Sequence, residues 1–202
     1  MGKLLVIVIV AFVLVMLVGG YIWYVSLVGR RNNALQALSS IDVQLNKRHD
    51  LLPATLKLAR QFMVHERELM EEVVRLRQEA QQPYDASSMA EVKKHLNVEG
   101  ELQAGLRRLF AVAENYPELR SSDTILQAQR AFNEVEGHIA ASRRFYNASV
   151  TRLNNAAQIF PGSLIANMAG IEPMPFFELA DPAMAQPVDV DEYLDTDRAN
   201  RS

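Results

Sequence analysis

Two Glu–His pairs are the residues best placed to do chemistry. Glu91 and His95 stand four apart, as do Glu134 and His138, and a four-residue step puts both members of a pair on one helix face. Carboxylates and imidazoles from facing helices would make a metal-binding bundle, an enzyme or a sensor. Di-iron bundles, however, use a three-residue step and two further glutamates. Val92, Leu96, Val135 and Ile139 also claim the centre of these faces, which leaves the four candidates flanking the apolar stripe and meeting solvent. The expectation is therefore no catalytic residue, no metal and no cofactor, with the metal-binding bundle of Glu91, His95, Glu134 and His138 as the alternative.

His49-Asp50 and His65-Glu66 are weaker candidates, because adjacent helical residues point about 100° apart and do not converge as ligands. Asp50 reads as a helix cap and Glu66 as surface charge. No nucleophile-elbow, P-loop or dinucleotide glycine pattern is present. The chain lacks cysteine, which excludes disulfides, thiolate metal sites and a thiol nucleophile. A net charge of -3 gives no basic footprint for nucleic acid. The doublets Lys93-Lys94 and Arg107-Arg108 read as solvated surface. In the run RRFYN (Arg143–Asn147), Tyr146 falls on a buried stripe, and Arg144 is expected to pair with an acid of the first helix. Arg143, Arg144 and Asn147 form a candidate partner surface.

The elements that would position these residues begin at a membrane. Leu4 to Val28 carries no charge, and 25 helical residues span about 37 Å, more than the ~30 Å hydrocarbon core requires. Tyr21, Trp23 and Tyr24 suit the headgroup belt, and Arg30-Arg31 close the segment. A cleaved signal peptide ending at Gly19-Gly20 is the competing reading. It fits less well, since apolar character continues to Val28 without a small-residue cleavage triplet. The expected arrangement is a single-pass anchor over 1–29, in contact with lipid through Leu4–Val28, in the cell (inner) membrane. Lys3 on one side and Arg30, Arg31, Lys47 and Arg48 on the other favour a cytoplasmic bundle by a small margin.

Beyond the anchor the pattern is helical. Leu35, Leu38, Ile41, Leu45, Leu52, Leu56, Ala59, Phe62, Leu69, Val73 and Leu76 recur at mostly three- and four-residue steps. Asp50 as a cap followed by Pro53 predicts a kink or restart there. Ser88 with Glu91 forms a capping-box signature for a second helix, whose stripe includes Val92, Leu96, Leu102, Leu106 and Leu109 and which ends at Pro117. Ser121, Ser122 and Asp123 offer caps for a third, with Ile125, Phe132, Ile139, Tyr146, Val150 and Leu153 facing inward. The predicted class is all-α: a transmembrane helix, then an antiparallel bundle of three long helices, the first kinked near Asp50-Pro53, so effectively four. Pro161-Gly162 stops the third helix. A strap through Pro173, Pro175, Phe176 and Phe177 then returns aromatics to the bundle or to the headgroups. The bundle domain is read as 30–180 and the acidic stretch 181–202 as a disordered tail.

The runs IDVQLNKRHDLLP (Ile41–Pro53), His65-Glu66, AENYPEL (Ala113–Leu119), RRFYN (Arg143–Asn147) and FPGSLIA (Phe160–Ala166), in this order between Tyr24 and Leu179, resemble the LemA family of bacterial membrane-associated proteins. The resemblance implies an N-terminal membrane anchor and a helical bundle; it does not imply an activity. Family members can carry a lipoprotein cysteine in place of the helix, which places their bundle outside the cytoplasm. This chain has no cysteine, and it carries Ala54 where the family resembles an Asn-Leu-Val continuation. The expected function is a non-enzymatic, membrane-anchored interaction or scaffold protein with membrane or peripheral protein partners, with a homo-oligomer along the long helices compatible with it.

Overall fold

A computed structural model describes residues 1–120 and 123–178. Among them the order is α1 (Gly2–Phe62), α2 (Arg67–Ala80), α3 (Met89–Ala113), a single turn α4 (Pro117–Arg120), α5 (Asp123–Gln158) and α6 (Gly162–Ala169), with no strand. The all-α expectation holds. The disordered tail expected over 181–202 lies outside the described residues, as do Ser121 and Ser122.

The first helix differs from expectation in one respect. It continues through Pro53, and the chain breaks instead at 63–66, so the four long elements are α1, α2, α3 and α5. Asp50 is an exposed mid-helix residue rather than a cap. Proline has no N–H to give to the carbonyl four residues back, which is that of His49. Arg77 of α2 fills this vacancy, its Nε donating to His49 O at 3.1 Å. The orphaned acceptor is satisfied from a neighbouring helix, so the helix need not stop. Arg77→Ala should therefore cost about 1–3 kcal/mol by leaving a buried carbonyl unpaired. In a Pro53→Ala background, where the helix supplies its own donor, the same change should cost much less. A thermal-melt cycle over the four proteins checks this.

The remaining turns follow local chemistry. Ser88 caps α3 by accepting from the Glu91 N–H at 3.4 Å, and the Glu91 carboxylate reaches back to the Asp85 N–H at 2.7 Å. α3 ends at Ala113, short of Pro117, which opens the α4 turn, where a missing N–H costs little. Gly170 closes α6 with φ of 63°, a left-handed conformation that glycine adopts without Cβ strain.

α1 packs chiefly against α5, and α2 against α3. From Leu27 onward α1 is about as long as α5, roughly 54 Å. The stripes predicted from sequence are buried: Leu38, Ile41, Leu45, Leu52, Leu56, Val73, Leu76, Val92, Leu96, Leu102, Ile139, Tyr146, Val150 and Leu153 are all 5% exposed or less. They form two apolar clusters. One lies near the anchor, from Leu27 to Leu45 with Ile139–Ala157, α6 and the strap. The other lies at the far end, from Leu52 to Met63 with α2, the second half of α3 and the start of α5.

Candidate functional site

Between the two clusters polar residues enter the core. On α1 the gap between Leu45 and Leu52 holds Arg48 and His49; α3 places Glu99 between Leu96 and Leu102, next to the buried Val98, and α5 places Glu136 next to the partly buried Val135. These polar residues meet in space. Arg48 and Glu99 are each 0% exposed and His49 2%. Arg48 Nη2 donates to a carboxylate oxygen of Glu99 and to the Glu99 carbonyl at 3.2 Å, while its Nη1 donates to Glu136 Oε1 at 3.1 Å. His49 Nε2 lies 3.0 Å from the other Glu99 oxygen. Gln103 donates to the remaining Glu136 oxygen at 2.7 Å. These long side chains bridge helices of different pairs, and the seam ties α1 to α3 and α5.

The electrostatics follow from that geometry. Burial alone would push the Glu99 carboxyl up. The hydrogen bond from His49 and the positive charge of Arg48, with His49 and His95 adding to it, together outweigh burial and hold it below its ordinary value. Arg143 has its guanidinium pushed below its usual range by burial and by nearby Arg107, against the attraction of Glu136.

A second polar group borders the seam on the α1–α3 side. Tyr84 donates to Asp42 Oδ2 at 2.8 Å and stacks on His95, with ring centroids 4.2 Å apart. His95 Nε2 lies 3.5 Å from Asp42 Oδ1. Burial, followed by the adjacent Asp42 charge, pushes the Tyr84 hydroxyl well above its ordinary value, so it stays a donor. A cleft of about 260 Å³ reaches His49 and His95 here.

The predicted metal ligands are not brought together. Glu91 caps α3; His95 belongs to the Tyr84–Asp42 group; Glu134 and His138 form a surface pair 3.8 Å apart, with side chains 77% and 59% exposed. Among the described residues no three His, Asp or Glu side chains are grouped as a metal ion requires. The four residues of the metal-binding alternative, Glu91, His95, Glu134 and His138, thus do not form one site: Glu91 and His95 are engaged beside Asp85 and Asp42, while Glu134 and His138 pair on the exposed surface of α5. His49 is core.

The RRFYN run also resolves differently. Tyr146 is buried as expected, and its hydroxyl donates to Pro175 O at 2.7 Å. Asn147 is engaged within the chain: its amide donates to Phe177 O at 3.1 Å and accepts from Phe177 N at 3.0 Å. Asn154 does the same for Met174, both bonds at 2.9 Å. Seven helical residues and three extended ones each cover roughly 10 Å, so the two brackets hold the strap antiparallel to α5 without strain. Arg144 is exposed and makes no ion pair with α1. Asn147→Ala should cost about 1–3 kcal/mol, since it leaves both polar groups of Phe177 unpaired; faster hydrogen exchange across 171–178 is the readout.

An exposed apolar anchor helix running into a helical bundle, with a closed ionic seam at its centre, defines a membrane-attached all-α protein. α1 is the one helix among the described residues long and apolar enough to cross a membrane, and its apolar window is wholly unburied. The chain belongs to the LemA family, whose model matches residues 37–191. It is also similar to magnetosome protein MamQ of Magnetospirillum gryphiswaldense, 31% identical over 42% of this chain and 31% of that protein. Magnetosome proteins MamQ 1 and MamQ 2 of Paramagnetospirillum magneticum are 31% identical over 43% of this chain and 32% of theirs. The match thus spans about a third of the length of these relatives.

Proposed function

We propose that the chain is a non-enzymatic scaffold of the LemA type, which holds a rigid bundle at the membrane for other proteins to bind. The observation that carries this reading is the closed seam. Arg48, Glu99, Glu136 and Gln103 engage one another, so these buried charged groups tie helices together rather than facing a substrate. The surface around the exposed Arg144 and the half-buried Arg143 is the proposed partner surface, with a second copy of the chain among its candidates. The inner membrane is the proposed site, with the bundle on the cytoplasmic side, supported by the excess of Lys and Arg after the anchor.

The test is cross-linking in intact membranes followed by recovery of the full chain. Wild type should retain a defined set of membrane or peripheral proteins that Arg143→Glu/Arg144→Glu loses. Stoichiometric iron, manganese or zinc in the purified protein, or an unchanged set in the variant, would count against the reading. Protease accessibility of the C-terminal stretch in spheroplasts reads the side.

A further inference from the structure

The hairpin at the anchor end of the bundle has its polarity reversed. From Leu153 to Ile171, nineteen residues, there is no charged side chain, in a chain of which 22% is charged. α6 turns its small residues inward, with Gly162 and Ala166 buried, and its large apolar ones outward. Phe160 is 77% exposed, Leu164 58% and Met168 83%, with Ile159 beside them. Leu164 and Met168 stand four apart and so share one helix face. A water-facing helix would carry this pattern the other way round.

Position says what covers this face. A Cβ added at Gly162 would lie 1.9 Å from the Ala156 carbonyl oxygen and 3.5 Å from Cζ3 of Trp23. Glycine is thus required for the close turn, and that turn sits beside the aromatic belt of α1. If the apolar core begins near Leu4, about 20 helical residues cross it, which brings its far boundary to Trp23 and Tyr24. The hairpin lies at that boundary. Just beyond it come the cations: Arg30 and Arg152 border one cleft, with Arg30 Nη1 donating to Arg152 O at 3.5 Å, and Arg31 follows. Apolar side chains level with the belt and arginines one step farther out match a bilayer interface.

We infer that the α5–α6 hairpin is a second membrane contact, with Ile159, Phe160, Leu164 and Met168 seated in the interface beside the anchor and Arg30 and Arg152 facing lipid phosphates. Of the strap aromatics expected at the bundle or at the headgroups, Phe177 is 2% exposed inside the bundle and Phe176 is 44% exposed. Two contacts at one end fix the rod's direction relative to the membrane, which a single flexible anchor would not. The inference rests on the anchor reading.

The chain's lack of cysteine makes the test direct. Single cysteines at Phe160, Leu164 and Met168 of the full chain carry a nitroxide, with Val10 as the mid-anchor reference and exposed Glu134 as the aqueous one. The protein is reconstituted in phosphatidylethanolamine–phosphatidylglycerol vesicles. The ratio of oxygen to nickel-chelate accessibility should be severalfold higher at the three hairpin positions than at Glu134, and lower than at Val10. Ratios like that of Glu134, with Val10 still in lipid, would overturn the hairpin contact and leave the anchor standing. Protection from both reagents would overturn it in favour of a protein covering. Water-like values at Val10 as well would remove the anchor, and the inference with it.

Discussion

Replacing Arg48 with methionine is expected to destabilise the bundle by about 3–5 kcal/mol, lowering the melting temperature by roughly 6–20 °C. Adding Glu99→Leu should recover most of that loss. The asymmetry comes from what each change leaves behind. Arg48→Met strands the Glu99 carboxylate, 0% exposed, with only His49 at 3.0 Å. An unpaired buried charge is worse than none, whereas exchange of both partners for apolar groups of similar volume is commonly close to neutral. Glu136 would lose a partner too, but its side chain is 29% exposed and water can solvate it. Thermal unfolding of the full chain in detergent micelles, followed by circular dichroism, is the measurement. A double variant no more stable than Arg48→Met would show that the seam is not coupled in this way.

The same seam predicts acid lability. The folded-state pKa of Glu99 lies below its ordinary 4.5, so its ionised form stabilises the fold. That contribution is fully present above 4.5 and is lost as pH falls through the depressed folded value. Melting temperature should therefore fall across that acid range, where Glu99→Gln should show a shallower dependence. An identical pH profile for the two proteins would contradict the role assigned to Glu99. The groups that face this carboxylate are Arg48 and His49 from α1 and His95 from its own helix.

Most of the fold was legible because burial in long helices writes itself into spacing. The stripes from Leu38 to Leu56, Val92 to Leu109 and Ile139 to Leu153 were read correctly, as was the cap at Ser88. What was misread shares one cause, in that a residue was assigned from its own helix when its partner lay on another. Pro53 predicts a kink or a restart, and the helix continues through it because the donor that satisfies His49 O belongs to α2. Arg48 and His49 cannot be placed in the core from α1 alone, because charge is seldom buried and the opposing charges sit on α3 and α5. A signal is present on α1, whose apolar stripe passes from Leu45 to Leu52 with Arg48 and His49 between them, and polar groups held at that position need polar partners on the neighbouring helices. Asn147 and Asn154 carried a comparable clue in their seven-residue spacing, which becomes readable only once an extended strap is known to lie alongside.

Phe177→Ala is the other change expected to have a large effect, and its size should depend on how it is measured. Removing a buried phenylalanine usually costs about 3–5 kcal/mol through lost transfer energy and the cavity left behind. Phe177 is 2% exposed, in one cluster with Ile171 and Met174 of the strap and Leu38 and Tyr146 of the bundle. The strap, however, is held from one side by discrete bonds, two from Asn147, two from Asn154 and one from Tyr146. It can therefore open without the four long helices parting. Opening sets a ceiling on the global cost, because a strap weakened beyond that point detaches rather than pulling the bundle down. Hydrogen exchange over 171–178 should accelerate by the full amount, about 10²–10⁴-fold for that energy, while the thermal midpoint of the bundle falls by less than the same energy would produce globally. Equal losses in both measurements would mean that the strap and bundle unfold as one unit, and that the asparagine brackets do not define a separable element.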